Sequence, residues 1–197
     1  MPHDLRTPRV VIASGMAETG VSTIAKIMQD AVPALNVVDG GSRWADILEA
    51  CTPGFARVVV VTTHDIVSVS SAYALIKLVR DRFQDASIEV LVNRSEERDA
   101  LKTYERIQGA ASHFLGEMVG YAGSVPEAVS GLDVERAGGE AGAPLQDSSA
   151  VNAANSIAVN RQAMMALHDL ATRLDDELVP TTADRGASRR GERRMAS

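Results

Sequence analysis

The stretch Val10–Thr23, VVIASGMAETGVST, decides how this chain folds. Val10-Val11-Ile12 is a short β-branched apolar run and reads as a buried strand. A loop bracketed by Gly15 and Gly20 follows, and a helical pattern starts at once, with Val21, Ile24, Ile27 and Met28 on one face. Strand, glycine loop and helix form the geometry that cradles phosphate, because loop N–H groups converge and the helix N-terminus adds a favourable dipole. The spacing is that of the P-loop, G-x-x-x-x-G-K-[ST]. Gly15 and Gly20 hold its glycine positions and Ser22 its hydroxyl position, but Val21 stands where the lysine belongs. Two readings follow: a phosphate loop deprived of its main cation, or a tight strand-to-helix turn with no ligand. The motif alone favours the turn, because a match without lysine has little specificity.

The 197 residues suffice for one sizeable domain with its own core. Aromatic residues make up 4%, so the core is aliphatic and base-stacking platforms are not expected. A net charge of −6 argues against sequence-specific nucleic-acid binding by the body. Cys51 is the single cysteine, which excludes an intrachain disulfide or a cysteine-based metal cluster. No apolar run is long enough to span a membrane and the N-terminus lacks an apolar signal core, so a cytoplasmic protein is expected.

Strand and helix patterns alternate along the chain. After the first helix, Leu35–Val38 reads as a strand closed by Asp39-Gly40-Gly41. A short helix follows with Trp44, Ile47, Leu48 and Cys51 on one face. Arg57–Thr62 is the most apolar strand, and Ser68–Phe83 is helical with Ala72, Leu75, Ile76, Val79 and Phe83 inward. Ile88–Asn93 is the next strand. Glu96 to about Leu115 is a helix with a stripe of Leu101, Tyr104, Ile107, Ala111 and Phe114 or Leu115, and Glu117–Ala122 is the last strand. A final helix runs from Ile157 to about Leu178, with Met164, Leu167 (or His168), Leu170 (or Ala171) and Leu174 inward. This rhythm indicates parallel βαβ units in one doubly wound α/β domain, a mostly parallel sheet flanked by helices. Such sheets bind ligands at the carboxyl ends of their strands. Four features converge there: the Gly15–Gly20 loop, Asp39, Thr62-Thr63-His64-Asp65, and Asn93.

Residues 1–8 read as a flexible lead-in, 9–179 as the domain with a mobile loop over 123–154, and 180–197 as a disordered tail. The tail sets Arg185, Arg189, Arg190, Arg193 and Arg194 against Asp184 and Glu192, a net of +3. It is expected to be solvated, with at most a weak electrostatic contact to acidic lipid or nucleic acid. Among the four histidines none is spaced with another as a metal pair. His64-Asp65 reads as a loop pair without catalytic duty, and Asp175-Asp176-Glu177 as a solvated helix end.

Val58–Lys77, VVVVTTHDIVSVSSAYALIK, resembles the strand-loop-helix of the MinD/ParA-type ATPases, most closely their FlhG branch, also called YlxH or FleN. Ala72-Tyr73-Ala74-Leu75-Ile76-Lys77 match in order, while His64-Asp65 replace a Pro-Glu pair and Ser71 replaces an aspartate. Val90–Asn93 is similar to the strand whose terminal asparagine faces adenine in that family, and Phe114-Leu115 with Gly120–Pro126 resemble a later stretch. The resemblance implies a P-loop NTPase-like, MinD-like fold. It also implies a nucleotide site at Gly15, Gly20, Ser22, Thr23, Asp39 and Asn93, with Ser22 and Asp39 near any bound magnesium.

The family's loop carries two lysines. Here Met16 and Val21 take their places, and Glu18 adds a negative charge. Losing a close charged partner of a phosphate costs about 2–5 kcal/mol. At about 1.4 kcal/mol per decade, each loss weakens binding some tens to thousands of times. Only fifteen residues separate Thr23 from Asp39, too few for the family's first switch and its water-positioning aspartate. Phosphoryl transfer depends on positioning and charge neutralisation, so little remains to support it. The resemblance therefore implies a degenerate, shortened pseudo-ATPase with a vestigial nucleotide site, no catalytic residue and no resident cofactor. It would act by protein contact in flagellar number or placement, or in another polar-positioning system. Its implied partners are an FlhF-like GTPase and flagellar regulator or switch proteins, with a homodimer left open and a location that is cytoplasmic, polar or peripheral to the membrane. Two alternatives remain. One is an active switch binding ATP or ADP with magnesium, in which Arg43, Lys26 or a partner's residue supplies the missing cation. The other is a scaffold subunit unrelated to motility.

Overall fold

The computed structural model describes residues 9–51, 56–116, 118–127 and 148–178. The expected lead-in 1–8, the basic tail 180–197 and the middle of the expected loop lie outside the described residues. The elements alternate: β1 (Arg9–Ala13), α1 (Val21–Ala31), β2 (Val37–Gly41), α2 (Trp44–Ala50), β3 (Ala56–Thr62), α3 (Ile66–Arg82), β4 (Ser87–Asn93), α4 (Glu97–Leu115), β5 (Gly120–Val125) and α5 (Ser148–Leu178). The five strands form one parallel sheet in the order β2-β1-β3-β4-β5. The doubly wound α/β reading is therefore the observed fold.

Period-two alternation explains why the strands read as unbroken valine runs. Val11, Val58, Val60, Val90 and Val92 face one cluster with Ile47 of α2, Leu75 and Ile76 of α3 and Ile107 of α4. Val10, Ile12, Val59, Val61 and Leu91 face the other, with Ile24 and Met28 of α1 and Leu167, Leu170 and Leu174 of α5. Both faces are covered, so every position in β1 and β3 profits from being apolar. After β1 the chain goes to one side for β2 and then crosses to the other for β3. The sheet's topological switch point therefore lies at β1.

Several boundaries differ from the sequence reading. β2 is Val37–Gly41 rather than Leu35–Val38, so Asp39-Gly40-Gly41 extends the strand instead of closing it. Leu35 is drawn into the core beneath α1 and α5, which starts the strand later. β5 reaches Val125 and α5 begins at Ser148, so regular structure takes in both ends of the expected 123–154 loop. Leu101 and Phe114 are exposed on α4, where Ala100 and Thr103 turn inward instead. On α5 the buried set is Ala163, Leu167, Leu170, Ala171 and Leu174, and Met164 is exposed. That set holds the i, i+4, i+7, i+8, i+11 spacing of a single helical face; Leu167, Leu170 and Leu174 turn inward as expected, and Ala163 takes the place expected for Met164.

Glu177 is not a solvated helix end. It joins Arg57, Glu89 and Arg173 in a closed ring of charges that fastens α5 to β3 and β4. Arg57 Nη1 donates to Glu89 Oε1 at 2.9 Å and also to Glu177, while Arg173 Nη2 donates to Glu89 Oε2 at 2.6 Å. Glu89 is buried within the sheet, so only paired charge makes it tolerable there. Burial pushes the Glu177 carboxyl up, but hydrogen bonds and charge from Arg57 and Arg173 outweigh it and hold the group below its ordinary range. A carboxyl lowered in the folded state stabilises the fold above its unfolded pKa and ceases to as pH falls through the folded value. Stability should therefore decline as pH drops below the ordinary glutamate value of 4.5. Replacing Glu89 by alanine should cost about 2–3 kcal/mol, below the usual range for a buried pair because Arg173 is partly solvated, as read by urea unfolding at neutral pH.

Candidate functional site

The candidate site lies at the carboxyl end of β1, where the loop 14–20 leads into α1. A cavity of about 280 Å³ there is lined by Met16–Thr23 together with Gly41 and Ser42. Gly20 has φ of +87° and serves as the N-cap of α1, a conformation that suits glycine. Ser22 and Thr23 stand exposed in the first turn of the helix, at the rim of the cavity. Thr19 is buried, and Glu18 sits at the exposed tip with φ of +65°, an uncommon conformation for a residue with a side chain.

Both glycines of the motif are required by packing. A Cβ on Gly15 would lie 2.1 Å from the Ser71 carbonyl oxygen, so the backbone of α3 runs directly against the loop. A Cβ on Gly20 would lie 2.7 Å from Nδ2 of Asn93. That amide group donates to the Thr19 carbonyl at 2.8 Å, tying the end of β4 to the loop. The structure therefore gathers Gly15, Gly20, Ser22, Thr23 and Asn93 at one place, with Asn93 serving the loop backbone.

Asp39 is placed differently. It is exposed on β2, its Oδ1 accepts from the Gly41 N–H at 2.9 Å, and it is not among the residues lining the cavity. No group of three or more acidic, histidine or cysteine side chains able to hold a metal occurs among the described residues. Val21, at the lysine position, is 6% exposed and packs into the core beneath α1. The alternative cations are also elsewhere: Arg43 pairs with Asp46 at 3.6 Å on α2, and Lys26 is exposed on α1 outside the cavity lining. Among the described residues, the only charged one lining the cavity is Glu18. A triphosphate does not fit this donor set, which offers hydroxyls and backbone N–H groups but no positive side chain.

A second cavity of about 200 Å³ adjoins the first and is lined by Gly20, Thr23, Ile24, Ile27, Asn93, Arg94, Val125, Pro126, Ala163 and Leu167. Arg94 holds φ of +56° and is the one cation among the described residues lining either of these two cavities. The sequence reading missed Arg94. Its signal, a long polar residue just after a strand-ending asparagine, does not by itself announce a left-handed backbone.

The Thr62–Asp65 segment caps a helix. Asp65 Oδ1 accepts from the Ser68 N–H at 2.9 Å, and the Ser68 hydroxyl meets Thr62 Oγ1 at 2.9 Å. The Thr63 hydroxyl and then the Ser68 N–H hold the Asp65 carboxyl below its ordinary range. His64 is exposed beside this cap. Burial pushes the Cys51 thiol up to about 11, with Arg9 opposing, so it is not a nucleophile at neutral pH.

The fold and this loop define a P-loop NTPase-like α/β protein. The chain is similar in structure to the MinD cell division protein of Aquifex aeolicus, with a TM-score of 0.50 and 15% identity over 86% of this chain and 97% of that one. It is similar to MinD in the MinC:MinD cell division protein complex of the same organism, with a TM-score of 0.50 and 14% identity over 88% and 98% of the two chains. At such identity the likeness is one of fold. No family model matches the chain, and no curated protein does.

Replacing Gly15 by alanine should destabilise the protein by about 3 kcal/mol or more, since helix backbone cannot yield as a side chain can. Asn93→Ala should cost about 1–3 kcal/mol by leaving the Thr19 carbonyl unpaired. Chemical denaturation of both variants checks the order.

Proposed function

We propose that this chain is a MinD/FlhG-like pseudo-ATPase, a regulatory protein that acts by protein contact rather than by nucleotide turnover. The observation that carries the reading is the loop cavity at β1, where the only charged lining residue among those described is Glu18, a carboxylate. A helix N-terminus and loop N–H groups attract phosphate, but a triphosphate with magnesium also needs close cations to offset its charge. Asn93 supports the same reading, since its side-chain amide is bound to Thr19.

A surface suited to a partner adds weight. Ile66 and Val67 in the first turn of α3 are 81% and 59% exposed, and Trp44 at the start of α2 is 48% exposed. These apolar groups belong to adjacent helices on one face of the sheet, at its carboxyl end. The MinD of the structural comparison forms a complex with MinC, which makes a protein partner a natural expectation for this fold. The similarity of Val58–Lys77 to the FlhG branch points to flagellar number or placement, or a related polar-positioning system, with an FlhF-like GTPase or flagellar regulators as partners. No helix among the described residues is long and apolar enough to cross a membrane.

The second reading, a nucleotide-switched ATPase, is favoured by Arg94, whose guanidinium lines the cavity beside the loop. Calorimetry with ATP and magnesium separates the two. No heat of binding is expected up to millimolar nucleotide. Micromolar binding that is lost in Ser22→Ala and in Arg94→Ala would establish the switch and overturn the pseudo-ATPase.

A further inference from the structure

β2 is an edge strand, and among the described residues no strand pairs with its outer side. Its register on β1 directs the N–H groups of Val38 and Gly40 inward, leaving those of Val37, Asp39 and Gly41 pointing outward. A row of open N–H and C=O groups is a template for another chain. Here two of the three outward N–H groups already have side-chain partners. The Val37 N–H is shared between the Leu35 carbonyl and Oε1 of Gln29, an α1 residue, each at 3.1 Å. The Gly41 N–H donates to Oδ1 of Asp39 at 2.9 Å. Gln29 is itself steadied at the turn, where its Nε2 donates to the Pro33 carbonyl at 3.4 Å.

Other features of the strand act in the same sense. The register breaks between Ile12 and Ala13, where Ala13 pairs with Gly41, so the edge bends at its end. The exposed Asp39 places a negative charge midway along a strand of five residues. Short length, a bulge and an edge charge are the devices by which sheets avoid pairing edge to edge.

We propose that Gln29 and Asp39 form an edge guard that closes β2 to strand addition, and that the strand it excludes is β2 of a second copy of this chain. The partly exposed Val37-Val38 pair supplies the β-branched surface such pairing would use. The proposal gives the Asp39 carboxylate a structural acceptor role on Gly41. It is independent of whether the loop binds nucleotide, because all measurements are made without nucleotide or metal.

The test uses the full chain as wild type, Asp39→Asn, Asp39→Ala, Gln29→Ala and the Gln29→Ala/Asp39→Ala double variant. Amide exchange by NMR should show the Gly41 N–H exchanging about tenfold faster in Asp39→Ala. Asparagine keeps an acceptor oxygen, so Asp39→Asn should restore slow exchange. In sedimentation velocity the double variant should self-associate at concentrations where wild type does not. Unchanged Gly41 exchange in Asp39→Ala would overturn the guard, as would an asparagine variant as open as the alanine one. A folded double variant no more associated than wild type would overturn the excluded partner. If the double variant fails to fold, the single variants decide through exchange at Val37 and Gly41 and through their own sedimentation.

Discussion

The loop between β1 and α1 is held from two sides by contacts that involve backbone. On one side Gly15 lies against the Ser71 carbonyl of α3, so close that even a methyl group is excluded. On the other, the Asn93 amide reaches from the end of β4 to the Thr19 carbonyl. These two contacts set the position of the loop relative to α3 and β4. The left-handed turn at Gly20, the entry angle of α1 and the shape of both neighbouring cavities follow from them.

That clamp gives the phosphate-loop geometry a basis in packing that does not depend on a ligand. Gly15 and Gly20 are usually understood through their ligand, since a bare backbone can approach an anion closely. Here each also has a packing reason that survives when the cation is gone. Val21 completes the picture: buried under α1, it trades the charge of a lysine for apolar contact with the core. The loop thus serves as a joint in the fold. The two charged residues at the loop are apart, Glu18 lining the first cavity and Arg94 the second.

A different kind of cohesion acts at the opposite end of the sheet. The ring of Arg57, Glu89, Arg173 and Glu177 ties the last helix to strands 84 and 120 positions away in sequence. It sits where the apolar seam of α5 ends, so charge pairing continues the attachment that Leu167, Leu170 and Leu174 begin.

The sequence by itself determined the class of fold. Valine-rich strands alternating with amphipathic helices can bury both faces only in a parallel, doubly covered sheet, and the strand-loop-helix at Val10–Thr23 placed the site at the end of β1. Local pattern also carried the absence of lysine at Met16 and Val21, which is a matter of residue identity alone. Only the tertiary structure decided what the remaining residues do. Whether Asn93 faces a ligand or a carbonyl depends on where Thr19 lies, 74 positions earlier. Whether Asp39 serves a metal or a neighbouring N–H depends on β2 continuing through Gly41, and on that strand being an edge. Glu177 looked like solvated charge because its partners Arg57 and Glu89 come from distant strands. Periodicity reports which face of an element is apolar; it carries no record of which distant backbone that face, or its polar rim, will meet.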